Sequence, residues 1–118
     1  MFQSILAKLV AQAGARWAMI VGSDGVLLET DNRFFRTEAE GLAAEYATFY
    51  RASRKAATDT DMGGLRSSML VVDQGKLLFQ ALTVDYVLIL LLAGEEPAGK
   101  AFFEMTRATE PLVQELTI

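Results

Sequence analysis

Three runs decide the fold: Ser67–Val72 (SSMLVV), Leu77–Thr83 (LLFQALT) and Tyr86–Ala93 (YVLILLLA). Their β-branched and apolar content reads as strand. Only Asp73-Gln74-Gly75-Lys76 and Val84-Asp85 lie between them. Connections this short join antiparallel neighbours, because a parallel crossover needs about a dozen residues or more. Tyr86–Ala93 is apolar on both sides of the strand, so it belongs mid-sheet with cover on each face. Arg66, Ser67 and Ser68 make the start of the first strand polar, which suits a sheet edge.

Working outward, Phe2, Ile5, Leu6, Leu9 and Val10 form a helical stripe, with Gly14 as its stop. Ala15–Gly22 and Val26–Thr30 read as a hairpin around Ser23-Asp24-Gly25, and Asp31-Asn32-Arg33 as loop. A helix is expected over Thr37–Ala57, with Thr37 as N-cap and Glu40 completing a capping box. Gly63-Gly64 marks a flexible connection to the meander. A last helix runs from Pro97 toward Leu116, and Pro111 inside it predicts a kink or restart near Ala108 to Glu110. The fold class is α+β in the order α-ββ-α-βββ-α, one domain over 1–118. A five-stranded antiparallel sheet carries one helix on one face and two on the other.

The chain of 118 residues is 52% hydrophobic, with a formal net charge of −4 and neither Cys nor His. That excludes disulfides, thiol and imidazole catalysis and Cys/His metal sites. The acidic balance argues against nucleic acid as a partner. The longest apolar run is too short to cross a membrane. The start lacks a basic region ahead of an apolar run, so no secretory leader is expected and a cytoplasmic protein fits. Arg51, Arg54 and Lys55 at the end of one helix read as solvated. No enzyme activity, metal or cofactor is expected.

Gly94-Glu95-Glu96-Pro97-Ala98-Gly99-Lys100-Ala101 imitates a phosphate-binding loop. Ala101 offers no hydroxyl, two carboxylates repel phosphate, Pro97 removes an N–H, and the meander denies the parallel sheet such loops need. Asp59-Thr60-Asp61-Met62-Gly63-Gly64 resembles the start of a calcium loop, but Gly63 and Leu70 stand where ligands are required. Trp17, Phe34 and Phe35 read as core or loop anchors.

The middle helix carries the functional expectation. At about 100° per residue, Leu42, Tyr46, Phe49, Tyr50 and Ser53 share a face, which should meet the sheet. Gly41, Ala44, Thr48 and Ala52 lie on the far side, flanked by Arg51 and Lys55 and by Glu45. Small side chains let a second helix approach closely. With the edge strand Ser67, Ser68, Met69 and Leu70, this stripe forms an expected dimer surface.

Ala18-Met19-Ile20-Val21-Gly22-Ser23-Asp24-Gly25-Val26-Leu27-Leu28-Glu29-Thr30 resembles the opening hairpin of the roadblock (dynein light chain) domain family. Ala39 to Phe49 resembles its Ala-rich middle helix and Tyr86 to Gly94 its central strand. The likeness spans residues 2 to 116 and rests on element order. It implies a roadblock/longin/profilin-like fold and a homodimer through strand 67–72 and helix 38–57. It also implies a non-enzymatic regulator or scaffold of a small Ras-like GTPase, which would touch Glu45, Thr48, Arg51 or Lys55. The bacterial MglB-like branch stimulates GTP hydrolysis; Arg51 and Arg54 are candidate arginine fingers in that setting. Two other classes fit less of the sequence: a small-molecule sensor of the GAF or PAS kind, which needs a pocket between sheet and helix, and a structural assembly subunit.

Overall fold

A computed structural model describes residues 1–31 and 36–117. The elements follow the expected order: α1 (Phe2–Ala13), β1 (Ala15–Gly22), β2 (Leu27–Thr30), α2 (Arg36–Asp59), β3 (Ser67–Val72), β4 (Gly75–Ala81), β5 (Tyr86–Leu92) and α3 (Ala98–Leu116). The sheet is five-stranded and antiparallel in the order β2-β1-β5-β4-β3. Apolar β5 is central, as its two-sided pattern requires, and β3 is an edge. The readings of Asn32 and Arg33 as loop and of Phe34 and Phe35 as anchors lie outside the described residues.

Each face of the sheet carries its own core. Leu6, Leu9, Val10 of α1 and Ala101, Met105, Leu112 of α3 bury Ile20, Leu78, Leu88 and Leu90. On the other face α2 lays Ala39, Ala43, Ala47 and Tyr50 over Trp17, Met19, Phe79 and Ile89. Trp17 is therefore core. Gly14 ends α1 in the left-handed region at φ 70°, its N–H donating to the Val10 carbonyl, a conformation that favours glycine.

Local details depart from expectation. β4 begins at Gly75, and Val72 pairs with Gly75, so the first meander turn holds two residues rather than four. A Cβ on Gly75 would stand 2.3 Å from the Leu92 carbonyl oxygen, so glycine admits the close approach of β5. α2 begins at Arg36, which places Thr37 inside its first turn instead of at the cap. α3 stays helical through Pro111, without the restart expected near Ala108 to Glu110. The Pro97–Ala101 segment opens α3 after a strand antiparallel to both neighbours. That geometry is foreign to a nucleotide-binding sheet.

Candidate functional site

The β3 edge is open. Ala81 N–H donates to the Arg66 carbonyl at 2.9 Å, and Ser68 pairs with Phe79, Leu70 with Leu77 and Val72 with Gly75. Hydrogen-bonded pairs alternate along an antiparallel ladder. Ser68, Leu70 and Val72 therefore point their backbone groups at β4. Ser67, Met69 and Val71 point theirs outward, where no partner exists among the described residues. The side chains follow the same alternation. Leu70 packs with the α2 core, while Met69 stands beside Leu78 on the α1–α3 face. Met69, Val71 and Val72 are 44%, 61% and 44% exposed, an apolar strip along a bare edge.

The opposite border is blunted. β2 has four residues and a register shift against β1. Gln3 Nε2 donates to the Thr30 carbonyl at 2.7 Å and to Glu29 Oε1 at 2.8 Å, laying an α1 side chain over that strand.

α2 sits rotated from the sequence expectation. Small residues, not large ones, occupy its centre line on the sheet: Ala39, Ala43 and Ala47 are fully buried. Their size lets the helix axis come close, and the large side chains splay to one flank. Leu42, Tyr46 and Phe49 are only half-buried and pack against the core beneath α2, with Tyr46 also stacked on Trp17 of β1 at a ring-centroid distance of 6.0 Å. Phe49 and Tyr46 meet Phe79 at ring-centroid distances of 5.1 and 6.4 Å. Burial raises the pKa of Tyr46 above the ordinary phenol value. Tyr50 shifts the same way through burial, opposed by nearby Arg54.

The other flank of α2 faces the β1–β2 turn. A Cβ on Gly25 would come within 3.8 Å of Ala44 Cα and Ala47 Cβ, so the glycine turn rests on the helix. Arg51 Nη1 donates to the Ser23 carbonyl at 2.8 Å, and its Nη2 to Thr48 Oγ1 at 3.4 Å. Arg54 Nη1 donates to the Val84 carbonyl at 3.0 Å, its guanidinium 5.7 Å from the Tyr50 ring centroid. These arginines, read from sequence as solvated, anchor α2 to two turns. Lys55 pairs with Asp59 one turn on.

The expected site residues therefore divide. Gly41, Glu45, Thr48 and Ala52 are exposed on the outer side of α2, and Lys55 and Arg51 are exposed with them. Ser67, Ser68, Met69 and Leu70 line the open edge. Ala44, Thr48 and Arg51 group instead with the β1–β2 turn, away from β3. Of the five residues expected to meet the sheet, Tyr50 is buried and Leu42, Tyr46 and Phe49 are half-buried against the core beneath α2, with Tyr46 and Phe49 reaching Phe79. Among the described residues, one recess of about 150 Å³ lies between α1 and α3, lined by Ile5, Lys8, Leu9, Arg107 and Pro111 among others, and another of about 290 Å³ lies at the strand ends and turns, lined by Gly22, Ser23, Asp24, Asp85 and Tyr86. The described residues hold no cluster of three or more metal-ligating side chains and no helix long and apolar enough to cross a membrane.

Comparison with known proteins agrees with this geometry. The Roadblock/LC7 domain family model matches residues 1–93. A Roadblock/LC7 domain from Streptomyces avermitilis superposes with TM-score 0.90 at 19% identity, covering 98% of each chain. Myxococcus xanthus MglB superposes with TM-score 0.88 at 15% identity, covering 98% of this chain and 94% of its own. Profilin IA of Acanthamoeba castellanii shares the architecture more loosely, with TM-score 0.63 at 16% identity over 98% of both chains. No curated protein sequence matches significantly.

Proposed function

We propose a function from one premise: the chain belongs to the Roadblock/LC7 domain family. It acts as a non-enzymatic regulator or scaffold, a cytoplasmic homodimer of one roadblock-like unit over 1–118 that binds a small Ras-like GTPase. The observation that carries the self-association is the open β3 edge. Its outward N–H and C=O groups and exposed Met69 and Val71 are those a second copy can satisfy. Family membership and the MglB-like fold support a GTPase as the other partner. The outer side of α2, with Glu45, Thr48, Arg51 and Lys55, is the surface offered to it.

Regulation follows from preferential binding. A protein that binds one nucleotide state better shifts the population toward that state. Arg51 and Arg54 already donate to turn carbonyls. Entering a GTPase site would require breaking those bonds, which favours action by binding over an arginine finger.

Light scattering gives the mass, and titration against GTPases loaded with GDP or a GTP analogue gives the preference. A dimer with at least tenfold preference for one state is expected. A monomer at high concentration, or equal affinity for both states, overturns the reading.

A further inference from the structure

We propose that the recess between α1 and α3 docks an acidic peptide segment of another protein. The peptide seats one leucine-sized side chain between the two helices and sets its carboxylates on Lys8 and Arg107. The site shares no residue with the surfaces assigned above to self-association and to a GTPase, and it stands or falls separately from them.

The floor of the recess is apolar and sized for one side chain. Ile5 and Leu9 of α1 line it with Ala108 and Pro111 of α3, around a space of about 150 Å³. A cavity of that order holds a group the size of benzene, hence a single leucine or phenylalanine side chain. Ala108 leaves the room, since a longer side chain there would fill the space between the helices. Phe103 is exposed one turn before Arg107 on α3 and continues the apolar surface beyond the recess.

The rim selects the charge. The chain carries a formal net charge of −4, yet this recess has two cations and a single acid. Lys8 is exposed and makes no ion pair among the described residues. Glu104 is the acid, and its side chain is only 13% exposed. Arg107 reaches it at 3.5 Å, a long contact that leaves the guanidinium free to take a second carboxylate. Stacking of that guanidinium 5.8 Å from the Phe103 ring centroid holds it at the mouth. Lys100, exposed one turn before Glu104, adds a third cation along the same side of α3. The backbone favours a peptide over a free carboxylate. Pro111 removes the N–H that would have met the Arg107 carbonyl, which leaves that acceptor to a main-chain donor from outside the helix.

Amide NMR titration with an end-blocked peptide of one leucine between pairs of glutamates tests the site. Shifts are expected at Leu9, Phe103 and Ala108, with a dissociation constant of about 1 mM, the scale of one apolar anchor and two surface ion pairs. Replacing the leucine by alanine, or the glutamates by glutamines, weakens binding by roughly fivefold or more. Lys8→Glu and Arg107→Gln do the same, and Ala108→Leu removes the shifts by filling the recess. The first two alter exposed side chains and keep the test decisive if Ala108→Leu fails to fold. Lys55→Glu makes the same charge change on α2 and leaves the affinity as it was. Equal losses for Lys8→Glu and Lys55→Glu mean long-range attraction alone and overturn the site. Absence of shifts at the recess up to about 10 mM peptide overturns it as well. Equal affinity for N-acetylleucine assigns the recess to a small carboxylate instead, and co-sedimentation with phosphatidylserine vesicles that Lys8→Glu abolishes assigns it to a membrane; either result overturns the peptide.

Discussion

Arg51 of α2 donates from Nη1 to the carbonyl of Ser23 in the β1–β2 turn at 2.8 Å. The bond joins the exposed side of the helix to a hairpin tip whose Gly25 lies near Ala44 and Ala47. A charged donor on a backbone carbonyl at the surface contributes about 1 kcal/mol. Arg51→Ala is expected to lower the melting temperature by roughly 4 °C. Arg51→Lys recovers part of the loss, since an ammonium cannot span both Ser23 and Thr48 as the guanidinium does. Thermal unfolding by circular dichroism checks both.

Two glycines should respond in opposite directions. Gly75→Ala forces a methyl to 2.3 Å from the Leu92 oxygen, where backbone must shift, and costs on the order of 3 kcal/mol. Gly41→Ala meets nothing within 4 Å and lies inside α2, so it gains about 1 kcal/mol of helix propensity. Urea denaturation of the two variants separates them; equal effects would remove the close β4–β5 approach from the account.

Pro111 sits within a helix that continues past it. Its missing N–H leaves the Arg107 carbonyl without its usual helical donor. Pro111→Ala restores that donor and should stabilise the protein by about 1–3 kcal/mol. A lower melting temperature for the variant would show that the ring's packing in the α1–α3 recess outweighs the lost bond.

Alkaline titration probes the face under α2. Burial raises the Tyr46 and Tyr50 pKa values in the fold above the ordinary 10.0. Above that value the unfolded chain releases these protons first, so the folded state binds more and stability falls as pH rises. Below it both states keep the protons and the contribution is constant. Tyr46→Phe should flatten the decline seen in denaturation midpoints above about pH 10. An unchanged slope would mean that Tyr46 is solvated.

The fold was legible because its signals are local. The two short connections fixed the meander, Asp24-Gly25 fixed the first hairpin, and Gly14 marked a helix end that only its backbone conformation explains. The edge position of β3 was legible from Arg66-Ser67-Ser68. The face of α2 was legible only in part: Tyr50 is buried and Gly41, Ala44, Thr48 and Ala52 are exposed as expected, but the helix is turned toward its alanines. Hydrophobicity ranks Leu42, Tyr46 and Phe49 above Ala39, Ala43 and Ala47, yet a helix lying close on a sheet has space for small side chains along its line of nearest approach. Volume, not polarity, set the rotation. The anchoring of Arg51 and Arg54 was likewise hidden, because their acceptors are carbonyls in turns about thirty residues away in sequence.

The unequal borders of the sheet set a limit on growth. At β2 a four-residue strand with a register shift and Gln3 laid across it offers little to a newcomer, so the proposed strand addition at β3, if it occurs, would halt after a single copy rather than propagate into a fibril.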